Sequence, residues 1–111
     1  MALGELEQVI LFACVRLRAP AHGAEIIGEI EERTGKTVAP GALYTVLDRL
    51  EAKGFVRSWI GDSTPERGGR RRKVYELLPA GALELRDWYA GIREMATGTL
   101  ARLDRLAEGR G

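Results

Sequence analysis

A short basic segment near the middle of the chain carries the side chains with the clearest chemistry. It holds five cations within seven residues, broken only by two glycines: Arg67, Arg70, Arg71, Arg72 and Lys73. Long cationic side chains bind phosphate oxygens, and each such contact on a nucleic acid releases a condensed counterion. The glycines let the backbone pass close to a sugar-phosphate strand or enter a minor groove, where arginine is favoured. The segment predicts DNA binding, and its alternative is a solvated charged loop.

The residues just before this segment predict a helix suited to a DNA groove. Pro40 fits the first helical turn, and Gly54 fits the position just past the end. Apolar residues between them recur at spacings of three and four, which forms one buried stripe: Leu43, Val46, Leu47 and Leu50. The opposite face is small and sparsely polar, so it can approach another surface closely.

Four residues of this helix are candidate DNA contacts: Tyr44, Thr45, Arg49 and Lys53. Thr45 and Arg49 are predicted to reach base edges or the backbone, since arginine pairs bidentately with guanine. The alternative for Arg49 is an ion pair within the domain. The Tyr44 hydroxyl suits a phosphate, and its alternative is packing beside the preceding helix. Lys53 is expected to be a phosphate contact or a solvated cap.

The composition does not support an enzyme or a cofactor site. His22 is the only histidine and Cys14 the only cysteine, which leaves no ordinary metal-ligand set and no intrachain disulfide. Gly68 and Gly69 are not followed by the lysine and hydroxyl residue of a phosphate-binding Walker loop. No run of about 18 apolar residues and no signal peptide are recognisable, so a cytoplasmic protein without a membrane span is expected.

The order of predicted elements is helix, helix, helix and β hairpin, which is typical of a winged helix-turn-helix domain. The fold class is therefore mainly α with a small β hairpin, and the DNA-binding domain is placed at residues 1–78. The predicted elements are helices at residues 3–17, about 24–34 and 40–53, and strands at residues 55–60 and 70–78.

A long C-terminal helix is predicted from Pro79 to about Ala107, within residues 79–111. Its apolar residues are spaced close to a heptad seam, and a second copy of the chain is the usual cover for a stripe longer than its domain. The predicted dimer interface consists of Leu85, Trp88, Ile92, Met95, Leu103 and Leu106. Gly91 and Gly98 interrupt this helix and are expected to be weak points. The alternative is that they permit the close approach of another helix.

Two segments resemble the PadR family of bacterial winged-helix transcriptional regulators. They are Leu-Tyr-Thr-Val-Leu-Asp-Arg-Leu-Glu-Ala-Lys-Gly-Phe-Val at residues 43–56 and Gly-Arg-Arg-Arg-Lys-Val-Tyr-Glu-Leu-Leu-Pro-Ala-Gly at residues 69–81. The opening of the second helix, at residues 22–26, is also similar, and the resemblance covers about residues 3–90. The sequence departs from the family pattern at Ala39 and Leu78, where a serine or threonine cap is common, and Pro79 is expected to start the last helix instead.

The resemblance implies a homodimer held by the C-terminal helix with help from the first helix. It implies two recognition helices that bind successive major grooves of a pseudo-palindromic operator, and repression relieved by a small-molecule effector or another signal. The implied DNA contacts are Tyr44 with its neighbours Ala42 and Thr45, and residues 70–73 of the wing, which is the basic segment at residues 67–73 of the hairpin.

Together these observations predict a cytoplasmic, dimeric regulator that binds double-stranded DNA, with repression as the expected direction. The alternative function is a winged-helix module that binds an acidic polypeptide through the same surface. Salt dependence separates the two, since DNA binding through several phosphates weakens steeply with salt on any duplex while keeping a preference for one sequence.

Overall fold

Five helices and three strands make up the part of the chain that the computed structural model describes, residues 3–61 and 72–110. In chain order they are α1 (Glu5–Leu17), β1 (Ala21–His22), α2 (Gly23–Thr34), α3 (Pro40–Ala52), β2 (Val56–Ile60), β3 (Lys73–Leu77), α4 (Pro79–Ala96) and α5 (Leu100–Ala107). Within these two ranges, none of the helices is both long and apolar enough to span a membrane.

The first three helices form the core, and their ends follow local signals. The α1 helix begins where the Gly4 N–H donates to the Glu7 carboxylate at 2.9 Å, which satisfies one of the free donors of the first turn. The α2 helix ends at Gly35, whose φ of 72° is favourable without a Cβ. The α3 helix begins at Pro40, and its predicted apolar stripe is buried. The predictions for these three helices are confirmed.

The strands form an antiparallel sheet with the order β1-β3-β2 among the described residues. The predicted hairpin is present, with Ser58 opposite Tyr75. The first strand was not predicted, since a two-residue strand has no periodicity to detect. It pairs Ala21 with Tyr75 on the side of β3 that faces away from β2. The connection between α1 and α2 is therefore hydrogen-bonded to the hairpin.

The prediction of one continuous C-terminal helix is wrong, because the helix divides at Gly98. This glycine has a φ of 78°, a left-handed conformation that ends a helix. The flanking hydroxyls stabilise the break, since Thr97 donates to the carbonyl of Arg93 and Thr99 to that of Ala96, at 2.8 and 2.7 Å. The weak-point expectation holds at Gly98, whereas Gly91 lies within unbroken helix.

The apolar stripe of α4 starts inside the protein and ends in solvent. Leu85 is 3% exposed and Trp88 packs against the same core. The next two positions of the stripe, Ile92 and Met95, are 44% and 80% exposed. Leu85 is therefore removed from the predicted dimer interface. It belongs to the protomer's own core, because this half of the helix packs on α1. The Leu103 and Leu106 side chains of α5 are exposed.

Candidate nucleic-acid interface

The outer face of α3 is a row of exposed, mostly small residues opposite the buried stripe. The row follows spacings of four, three and four, so its members lie on one face of the helix: Gly41, Thr45, Asp48 and Ala52. Ala42 is exposed beside them. The small side chains allow this face to come close to a groove. Its two polar side chains, Thr45 and Asp48, are exposed.

Tyr44 both packs and remains accessible. Its ring lies against Gly23 of α2, where an added Cβ would come within 2.7 Å of the Tyr44 Cζ. The ring centroid is 6.4 Å from that of Tyr75, and the residue is still 42% exposed. Packing beside the second helix and a partly exposed side chain thus occur together.

Arg49 is exposed, and it makes no ion pair within 4 Å with any residue that the structure describes. The alternative of a partner inside the domain is therefore not seen in this part of the chain. Its charge still acts on the domain, because it lowers the pKa of Glu7 from a distance. A cation without a close partner at the edge of the small face is available to an external acceptor.

Lys53 has an internal partner that the sequence analysis missed. Its Nζ lies 2.7 Å from Oε2 of Glu7, and the two side chains are 28% and 9% exposed. Burial acts to raise the pKa of Glu7, but hydrogen bonds from Lys53 and Gly4 and the nearby positive charges hold it below its usual value. No local signal in the sequence marks Glu7 as the partner of Lys53, because the two residues meet only where α1 packs on α3.

A second polar contact joins α3 to the hairpin. The Glu51 carboxylate accepts hydrogen bonds from the Ser58 hydroxyl at 2.7 and 2.9 Å and from the Ser58 N–H at 3.2 Å. Burial raises the pKa of the adjacent Tyr75 hydroxyl to about 12, with contributions from Asp48, Tyr44 and Glu51. The hydroxyl therefore stays protonated at neutral pH. These contacts fix the last turn of α3 on the strand that leads into the wing.

The base of the wing is described, and its tip is not. The Gly61 N–H donates to the carbonyl of Arg72 at 2.7 Å, and the exposed Lys73 places its Nζ 6.0 Å from the centroid of the Tyr75 ring. Three predicted contacts lie outside the described residues: Arg67, Arg70 and Arg71.

Arg57 of β2 adds a cation that the sequence analysis did not single out. Its guanidinium lies 4.9 Å from the centroid of the Trp59 ring, and its Nε is 2.6 Å from Oε1 of Glu76 on the paired strand. The side chain is 59% exposed. Because Glu76 offsets part of its charge, Arg57 extends the cationic surface of the hairpin only weakly.

The described residues offer little for catalysis or metal binding. No cluster of three or more His, Cys, Asp or Glu residues suited to a metal occurs among them. Cys14 is buried, and burial raises the pKa of its thiol to about 11, so the reactive thiolate is disfavoured at neutral pH. Cys14 is thus placed as a small core residue.

Comparison with known proteins gives a consistent set of relatives. The model of the transcriptional regulator PadR-like family matches residues 11–87. The transcriptional regulator Rv3488 of Mycobacterium tuberculosis is 38% identical over 79 residues, which cover 71% of this chain and 69% of that protein.

Solved structures share the architecture. A PadR family transcription regulator from Clostridium difficile has a TM-score of 0.69 and 26% identity, and the alignment covers 90% of this chain and 99% of that one. The winged-helix DNA-binding protein F93 from STIV has a TM-score of 0.67 and 20% identity, covering 82% and 90%. Bacillus subtilis PadR in complex with operator DNA has a TM-score of 0.64 and 23% identity, covering 77% and 46%. The last two support the winged-helix fold alone.

Proposed function

Because the chain belongs to the PadR-like family of transcriptional regulators, we propose that it is a repressor that binds a pseudo-palindromic operator as a homodimer. Members of this family are transcriptional regulators and not enzymes. One observation carries the proposal: the exposed, small-residue face of α3 stands beside a hairpin whose connecting residues 61–72 contain four arginines.

The DNA contact proposed for each side chain follows from its position and its partners. Thr45 and Arg49 are assigned to base edges, since they lie on the accessible face and Arg49 lacks a close partner in the described structure. The Tyr44 hydroxyl is assigned to a phosphate, with Ala42 allowing close approach. The wing cations at residues 67–73 are assigned to phosphates or the minor groove. Lys53 is assigned to its ion pair with Glu7.

The proposed homodimer rests on the apolar surface that α4 and α5 leave uncovered. Ile92 and Met95 continue the stripe of α4 beyond the domain, and α1 adds Phe12 and Val15, which are 37% and 48% exposed. Phe12 packs edge-to-face on Tyr89 with ring centroids 5.5 Å apart. A two-fold arrangement through these residues would present the two α3 helices to half-sites about one helical turn, roughly 34 Å, apart.

A small-molecule effector would have a place to bind within this surface. A groove of 360 Å³ lies between α1 and α4 and is lined by Phe12, Val15, Leu85 and Tyr89 among others. A ligand that bound there better in one dimer arrangement than in another would shift the population between DNA-competent and incompetent spacings of the recognition helices.

The first test is binding to the DNA just upstream of the chain's own reading frame and to a random duplex pool, with excess unrelated DNA present. The wild type should give a competitor-resistant complex that an Arg70→Ala/Arg71→Ala/Arg72→Ala variant loses. The variant should also show a shallower salt dependence, by up to about 0.9 per lost phosphate contact in the slope of log affinity against log salt. A Lys36→Ala variant is the control for loss of one exposed charge outside the wing.

Absence of binding to any duplex at low salt would contradict the proposal. The acidic-polypeptide alternative would then be favoured. A monomer that binds a single half-site at working concentration would overturn the dimer while leaving DNA binding intact.

A further inference from the structure

Asp48 occupies the middle of the row that faces the proposed groove. It lies three residues after Thr45 and four before Ala52, both exposed, so it stands close to the centre of the outer face of α3. In the described part of the chain it makes no hydrogen bond or ion pair, and its charge contributes to the raised pKa of Tyr75.

An unpaired carboxylate at this place is unfavourable unless the DNA satisfies it. An ionised Asp is an acceptor only, and it is repelled by the phosphates that flank either groove. The major groove offers it amino donors on cytosine N4 and adenine N6, whereas the guanine edge presents acceptors alone. Cytosine is the better partner, because adenine carries the acceptor N7 beside its amino group and that atom repels a carboxylate. The position therefore tolerates some base pairs and rejects others.

We propose that Asp48 is a specificity-determining residue, which selects a cytosine at one position of each half-site by accepting a hydrogen bond from its N4 amino group. The inference rests on the proposed function, since it requires α3 to enter the major groove. Neighbouring Arg49 selects guanine by the opposite chemistry, so the two adjacent residues read one donor and one acceptor edge.

Binding-site selection from a random duplex pool tests the proposal with three proteins: wild type, Asp48→Ala and Asp48→Asn. The wild type should enrich half-sites in which cytosine at one position is preferred by about tenfold. Asp48→Ala should lose the preference at that position alone. Asp48→Asn should move it toward adenine, because an amide pairs with adenine N6 and N7. A fold defect cannot produce such a change of preferred base.

Asp87→Asn provides the matched control. Asp87 is an exposed acid on α4, and its replacement removes the same charge away from α3. Asp87→Asn should keep the wild-type base preferences. If the Asp48 variants also keep them and only bind every duplex more tightly, Asp48 is a general repulsive charge and the proposal is wrong. A wild type that enriches no sequence at all overturns the proposed function, and this inference with it.

Discussion

The Nζ atom of Lys53, at the end of α3, lies 2.7 Å from Oε2 of Glu7 in the first turn of α1. The two residues are 46 positions apart in sequence, so the ion pair is a long-range contact between the end of α3 and the first turn of α1. Glu51 and Ser58 tie the same helix end to β2. The orientation of α3 is therefore set by polar contacts on two sides in addition to its buried stripe.

Replacing Lys53 by methionine should lower the free energy of unfolding by about 1–3 kcal/mol, because the Glu7 carboxylate would keep its burial and lose its charged donor. Urea unfolding measures the change. Lys36→Met is the control, since the Lys36–Glu5 pair is 3.6 Å long and its side chains are 76% and 85% exposed. That change should cost at most about 0.5 kcal/mol. Equal losses in the two variants would contradict the role given to Glu7.

The Glu7 pair also predicts how stability depends on pH. The folded-state pKa of Glu7 is lowered from 4.5, so the unfolded chain binds more protons in this range and stability rises with pH. The contribution of Glu7 is present above about pH 4.5 and is lost as the pH falls through its folded pKa. Urea unfolding measured between pH 3 and 7 should show that Glu7→Gln loses less stability on acidification than the wild type does. Parallel curves would exclude this group as a source of the acid sensitivity.

Two glycines of α2 should respond in opposite directions to substitution by alanine. A Cβ at Gly23 would lie within 3 Å of the Tyr44 ring. At Gly28, no atom of the described residues outside its own stretch of helix lies within 4 Å of the Cβ position. Gly23→Ala should therefore destabilise the protein by about 1–3 kcal/mol, and Gly28→Ala should stabilise it by about 0.5–1 kcal/mol. Thermal unfolding compares them. Adding Tyr44→Ala to Gly23→Ala should remove most of the clash, and a double variant no better than the sum of its parts would refute the contact as the cause.

The exposed end of α4 gives a test of self-association. Met95→Glu should convert the proposed dimer to a monomer, as measured by sedimentation, because it places a charge on the apolar continuation of the stripe. Leu83→Glu is the control, since Leu83 is 50% exposed and helical spacing puts it on the opposite side of α4. Circular dichroism should report an intact fold in both. A Met95→Glu protein that remains dimeric would place the interface elsewhere.

Local signals made the recognition helix predictable. Pro40 marks its start, Gly54 adopts a φ of 79° just past its end, and the spacing of its apolar residues places its buried face. These signals act within a few residues of each other, so they can be read without the rest of the chain. The break at Gly98 was less certain from sequence, because Gly91 carries the same propensity and stays helical.

Contacts between distant segments could not be predicted in the same way. The β1 strand forms where Ala21 and His22 pair with Tyr75 and Val74 of β3, which lie more than 50 residues later in the sequence. The Glu7–Lys53 pair requires α1 and α3 to be placed side by side, and no spacing rule connects residues so far apart. Lys53 consequently looked available for a phosphate when the sequence was considered alone.

The second half of α4 extends beyond the core, so a small tilt of the helix moves its far end over a larger distance. The residues from Leu85 to Ala96 extend roughly 16 Å at a rise of 1.5 Å per residue, and the first of them is anchored in the core. A tilt of about 10° at the anchor therefore displaces the far end by about 3 Å. If two copies contact each other at those far ends, a small tilt in each protomer becomes a larger change in the distance between their α3 helices, without any repacking of α3 itself.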